Sequence, residues 1–173
     1  MRSLETEDAA LDRFHTWDDD TAGAALHACC ASPAWVTRVQ SGRPYRTRAE
    51  LLDAAEDACR ALDDRELDAA LDGHPRIGDR AGGESTEARW SRQEQASVSD
   101  ADAATRDALV EGNLAYEQRF GHVFLIRAAG RSPAEMLAEL RRRLGNDPAD
   151  ERREVVDQLA QITRLRVERL LES

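Results

Sequence analysis

Apolar residues recur at helical spacing along most of this chain, and the recurrence is interrupted by residues that start and stop helices. Leu26 and its neighbouring alanines predict a short helix that stops near Ser32-Pro33. There Ser32 is placed to cap a second helix and Pro33 suits its first position. Trp35, Val36 and Val39 supply that helix with an apolar edge, and Ser41-Gly42-Arg43-Pro44 reads as a loop. Thr47-x-x-Glu50 is a capping box opening a helix that carries Leu51, Leu52, Ala55, Cys59 and Leu62 on one face. Asp63-x-x-Glu66 is a second start signal, followed by Leu67, Ala70 and Leu71. Gly73-His74-Pro75 ends that run, and residues 79–85 have loop composition.

A further helix is predicted from about Thr86 to Ser97, and Ser99-x-x-Asp102 starts a long one closed by Gly121. Ser132-Pro133-Ala134-Glu135 combines a cap, a first-turn proline and a glutamate, and it opens a helix ending at Gly145. Asp147-Pro148 opens the last helix. Phe120-Gly121-His122-Val123-Phe124-Leu125-Ile126 is the one strongly apolar, β-leaning run, too short to define a sheet. The pattern therefore predicts an all-α fold: a single-domain bundle of about eight helices over residues 1–173, with one short extended segment near 122–128.

Composition narrows the function classes. The net charge is −10, and every basic residue is arginine. A duplex nucleic acid or an anionic membrane surface needs basic clusters, so neither partner is expected. A small anion needs only one or two well-placed arginines and stays open. Cys29, Cys30 and Cys59 form no C-x-x-C, which argues against a disulfide framework or zinc ribbon and favours a reducing compartment. Cys59 lies on an apolar helix face and reads as core filler. The first residues lack the apolar run of a signal peptide, and no run approaches the ~20 residues of a membrane helix. A cytoplasmic location is the expectation.

Three places carry candidate chemistry. Gly73-His74-Pro75-Arg76-Ile77-Gly78 puts an imidazole on a constrained turn, because Pro75 forces His74 out of helical geometry. Such a histidine is either a solvated surface group or a proton-transfer group. On the next helix, Trp90, Ser91, Glu94, Gln95 and Val98 share one side at 100° per residue, mixing apolar bulk with a hydroxyl, a carboxylate and an amide. Buried polar groups need partners, from the protein or from a ligand. On the last helix, Arg166 falls within about 60° of Val155, Leu159 and Ile162, in the middle of the apolar face. An inward arginine needs an anion: a scaffold carboxylate or a substrate carboxylate held by a forked pair of hydrogen bonds. The extended segment adds backbone groups that a ligand could use. No glycine-rich phosphate-binding spacing is present.

These motifs resemble one family when taken in order: His74-Pro75-Arg76-Ile77-Gly78, Ser91-Arg92-Gln93-Glu94-Gln95, Asn113-Leu114-Ala115-Tyr116, Phe120-Gly121-His122-Val123-Phe124 and Ile162-Thr163-Arg164-Leu165-Arg166. Cys30-Ala31-Ser32-Pro33-Ala34-Trp35 and Arg43-Pro44-Tyr45 match its early segment. The family is 2-oxo-4-hydroxy-4-carboxy-5-ureidoimidazoline (OHCU) decarboxylase, which forms (S)-allantoin after urate oxidation. The resemblance implies an all-helical, cofactor-free, metal-free carboxy-lyase acting on a small anionic ureidoimidazoline, and a homodimer. It implies His74 as catalytic proton donor, and the chemistry of a neighbouring carboxylate makes Glu94 the expected acid/base partner. Substrate contacts are implied for Pro75, Ser91, Glu94, Gln95 and Arg166, for Arg92 and Gln93 of the same run, and for the backbone around Phe124, Leu125, Ile126, Arg127 and Ala128. Two departures stand out: Phe-Gly-His-Val-Phe replaces the more familiar Phe-Gly-Phe-Pro-Phe, and Ile77 stands where leucine is common.

Two other classes compete. A metal-dependent hydrolase would need clustered ligands, but His15, His27, His74 and His122 are scattered and no H-E-x-x-H occurs. A helical small-anion binding or interaction module without catalytic activity would not need a hydroxyl, a carboxylate and an amide on one helix face.

Overall fold

The computed structural model describes residues 8–78, 83 and 85–173. Among them are nine α-helices: α1 Ala9–Thr16, α2 Asp19–Cys29, α3 Pro33–Ser41, α4 Arg48–Arg60, α5 Asp64–Asp72, α6 Thr86–Glu94, α7 Ala103–Phe120, α8 Pro133–Leu144 and α9 Pro148–Glu172. No strand occurs among the described residues. Residues 123–128 run between α7 and α8 without regular structure, as the extended segment predicted by the apolar run. Most of the loop expected over 79–85 lies outside the described residues.

Each α-helix begins on an Asp, Ser or Thr whose side chain accepts the backbone N–H three positions on. This satisfies one of the four donors a helix start leaves free. Asp63 and Glu66 close a reciprocal capping box. Thr47 caps α4 as predicted, but the Glu50 carboxylate accepts the N–H of Arg46 instead of completing the box. The helix expected to reach Ser97 stops at Glu94. Gln95 leaves helical geometry there, and a 3-10 turn spans Ala96–Asp100. At the far end of α7, Gly121 takes the left-handed conformation (φ 79°) that closes the helix.

The long helix α9 forms the spine. It packs along α4 and also touches α1 and α2, while α7 packs against α8. The buried apolar residues form two clusters. The larger joins α1–α6, α9 and Leu125 of the extended segment, and includes Trp35, Leu51, Leu67, Trp90, Leu159 and Ile162. The smaller joins α7, α8 and the non-helical stretches around them, through Ile77, Val98, Leu109, Tyr116, Phe124, Ile126, Met136 and Leu140. All three cysteines are buried and free, and burial pushes the Cys29 thiol up, as expected of core residues. No described helix is long and apolar enough to cross a membrane.

Candidate active site

The His-Pro turn leaves α5 with the His74 N–H donating to the Leu71 carbonyl at 3.0 Å. Three side chains then hold the turn from outside. The Asn113 amide on α7 donates to the Ile77 carbonyl at 2.8 Å. The Glu117 carboxylate takes a forked pair from Arg76 at 2.6 and 2.9 Å. The Gln95 side-chain oxygen accepts the N–H of Gly78 at 3.0 Å, and Gly78 sits at φ 95°, where a side chain would be strained. Gln95 therefore supports the turn as well as facing the site.

Helix α6 supplies the second wall. Trp90 and Ser91 are buried there, and Glu94 lies one turn beyond Ser91. Helix α9 carries Arg166 up to them with only 1% of its side chain exposed. The guanidinium forms a fork to Glu94: Nε donates to one carboxylate oxygen at 3.0 Å and Nη2 to the other at 3.1 Å. Nη2 also donates to the Ser91 hydroxyl at 3.1 Å, and Arg169 adds a bond to Glu94 at 3.2 Å. The remaining nitrogen, Nη1, is buried without a hydrogen bond; its nearest carboxylate is Glu87 at 3.9 Å. The inward arginine thus has a protein anion, and that anion is itself a candidate site residue. One donor is left over.

His74, Pro75, Ile77, Ser91, Glu94, Gln95, Phe124, Leu125, Ile126, Ala128, Ile162 and Arg166 line one cavity. It holds about 20 Å³ of space, room for roughly one water. A wider groove of about 670 Å³ adjoins it, shares His74, and is bordered by Arg76, Phe120, His122 and Arg152. Desolvation, reinforced by the Arg166 charge, lowers the pKa of the His74 imidazole from 6.5 to about 3, which keeps it neutral at neutral pH. Burial raises the Glu87 carboxyl, while Arg166 pulls the other way. Among the described residues, no group of three or more His, Cys, Asp or Glu side chains is arranged to hold a metal ion.

Other sequence candidates lie elsewhere. Arg92 donates to the Gly83 carbonyl, and Gln93 is exposed on the far side of α6. The Arg127 N–H is taken by Gln158 at 2.9 Å. Conversely, two buried charges lie behind the cavity at positions that the sequence pattern does not mark. Arg143 on α8 and Glu151 on α9 are paired, and Arg143 donates to the Leu125 carbonyl at 2.7 Å. Arg143 follows Met136 and Leu140 on the buried face of α8, so the inward-arginine argument applied to Arg166 applies to it too. Its place in the run Arg141-Arg142-Arg143 masks that position.

A profile of the OHCU decarboxylase family matches residues 15–168. The 2-oxo-4-hydroxy-4-carboxy-5-ureidoimidazoline decarboxylase of Amia calva is 28% identical over 156 residues, covering 88% of this chain and 87% of that protein. The protein of the same name from Haloferax volcanii is 27% identical over 161 residues, covering 91% and 93%. Among solved structures, a crystal structure of OHCU decarboxylase in the presence of (S)-allantoin superimposes with a TM-score of 0.74 at 25% identity, covering 91% of this chain and all of that one. With the profile spanning nearly the whole sequence and the helical fold agreeing, this chain belongs to the OHCU decarboxylase family.

Proposed function

We propose that this protein decarboxylates 2-oxo-4-hydroxy-4-carboxy-5-ureidoimidazoline to (S)-allantoin. The observation that carries the reading is the meeting of His74, Glu94 and Arg166, from α5's end, α6 and α9, around one cavity.

The substrate's name defines the task. Breaking the bond from ring carbon 4 to its carboxylate releases carbon dioxide and leaves an electron pair on that carbon. The pair moves into a double bond with carbon 5, and the adjacent ring imine takes up the charge. A proton then arrives on carbon 5 from one face, the hydroxyl on carbon 4 gives up its proton to become a carbonyl, and the charged ring nitrogen takes a second proton from solvent. Arg166, whose Nη1 makes no hydrogen bond of its own, holds the polar groups of the substrate, the ring carbonyl as well as the carboxylate. Ser91 and Gln95 help orient the ring. The neutral His74 accepts a proton first, from the hydroxyl, and returns one to carbon 5. Glu94 is released from its fork as the substrate engages Arg166, and it then serves as the acid/base partner. The small volume of the cavity supports this exchange, since the substrate fits only if that pair opens or the ring extends toward the adjoining groove.

The decisive measurement supplies freshly made product of urate oxidation and hydroxyisourate hydrolysis, then follows optical rotation as allantoin appears. His74→Ala and Glu94→Gln are each expected to lower turnover by orders of magnitude with the helical circular-dichroism signal intact. Near-parental turnover in either would discard the assignment, and no turnover by the parent would discard the function. A homodimer is the expected working unit, to be tested by light scattering at assay concentration; a monomeric mass would refute it.

A further inference from the structure

The segment that closes one side of the cavity is held from behind by a buried charge network. Arg143 and Glu151 are 1% and 0% exposed. Glu151 Oε1 accepts from Arg143 Nε at 2.8 Å, from Nη2 at 2.5 Å and from the Tyr116 hydroxyl at 2.5 Å. Its other oxygen accepts from Asn146 at 3.1 Å. Burial, and then the bond to Glu151, push the Tyr116 phenol up, so it remains a donor. The Arg143 guanidinium lies 4.5 Å from the centre of the Phe124 ring, and its remaining donor, Nη1, goes to the Leu125 carbonyl.

Burying an ion pair costs desolvation, and apolar residues of similar volume often stabilise a core as well or better. What apolar residues cannot do is fix a carbonyl. A trans peptide is planar, and its C=O and N–H point in opposite directions. Anchoring the Leu125 carbonyl on Arg143 therefore turns the Ile126 N–H away from Arg143. That N–H has no hydrogen-bond partner among the described residues, although Ile126 is buried and lines the cavity. An unpaired donor on a buried residue is costly unless something else accepts it. Arg143 does not line the cavity, whereas Phe124, Leu125 and Ile126 do.

We infer that Arg143, held by Glu151, is a positioning residue that aims the Ile126 N–H into the cavity as a donor to a carbonyl of the bound ureide, a group that substrate and product share. This rests on the decarboxylase reading for its substrate but not for its geometry. The network makes no contact with the reacting atoms. It sets the angle of one peptide unit.

The test combines a binding arm on the parent with a kinetic arm on variants. In the parent, a saturating titration with (S)-allantoin is followed by amide NMR, and the Ile126 N–H is expected to move downfield. Binding without that shift overturns the proposal and leaves the decarboxylase reading standing. If allantoin does not bind, this proposal falls, and the turnover assay alone decides the decarboxylase reading. In the kinetic arm, Arg143→Met/Glu151→Met replaces the pair with apolar bulk. It is expected to keep its Tm within about 4 °C of the parent. Its kcat/KM should fall about ten- to a hundredfold, the worth of one hydrogen bond to a charged group. Parental kcat/KM in this variant overturns the proposal, because a purely structural pair is dispensable once its volume is refilled. Should the double variant fail to fold, Arg143→Lys decides: its ammonium cannot serve Glu151 and the Leu125 carbonyl together as a fork does. The same loss is expected there, and unchanged kinetics refute the assignment.

Discussion

Arg166 is the residue whose sequence position said most. Its place among Val155, Leu159 and Ile162 required a buried anion, and the structure supplies Glu94 through a fork. Arg166→Lys is expected to raise KM at least tenfold, since an ammonium cannot copy two parallel donors; steady-state kinetics test this, and unchanged constants would remove the clamp. His74 adds a pH signature. Its pKa is lowered from 6.5 to about 3 in the folded protein. Between those values the unfolded chain binds more protons, so this group's contribution to stability is complete above about pH 6.5 and is lost as pH falls toward 3. The slope it adds cannot exceed about 1.4 kcal/mol per pH unit, one proton's worth. Urea midpoints measured from pH 4 to 7 should fall less steeply for His74→Gln than for the parent, and parallel curves would show that the imidazole is not desolvated. The sequence could not disclose this shift. It arises from burial and from a cation far along the chain.

Helix starts were legible because each is written in a few adjacent residues: Ser32-Pro33, Asp63-x-x-Glu66 and Asp147-Pro148 all cap as expected. The end of α6 was less so. The apolar pattern runs on to Val98, but Gln95 breaks the helix while its amide holds the Gly78 N–H. That bond joins two segments seventeen residues apart, a separation no local pattern reports. The fit of α7 against α8 was equally hidden. A Cβ at Gly112 would sit 2.5 Å from Leu140 Cδ2, so the glycine permits the close approach. Gly112→Val is expected to overpack this contact by about 1–3 kcal/mol and to lower Tm by about 2–12 °C in a chain of this size. Calorimetry tests this, and a Tm equal to the parent's would mean that the two helices are not tightly apposed.

At the scale of the whole molecule, the candidate cavity takes its walls from both buried clusters. Leu125 and Ile162 come from the larger, and Ile77, Phe124, Ile126 and Ala128 from the smaller. A ligand at a hundred times its Kd stabilises the folded state by about 2.7 kcal/mol, a rise in Tm of about 5–11 °C at this size. (S)-allantoin should produce that rise by differential scanning fluorimetry, and Arg166→Ala should abolish it. An equal rise in the variant would place the binding elsewhere. The sequence marks many of the residues that line this cavity but not their division between clusters, because which cluster a residue joins depends on how α7 and α8 dock beside α9.

A catalytic centre built on such a seam has a kinetic weakness. Its parts need not unfold to stop working; they need only drift apart by the length of a hydrogen bond. Mild urea should therefore extinguish turnover at concentrations that leave the far-ultraviolet spectrum untouched, and activity should return at once on dilution.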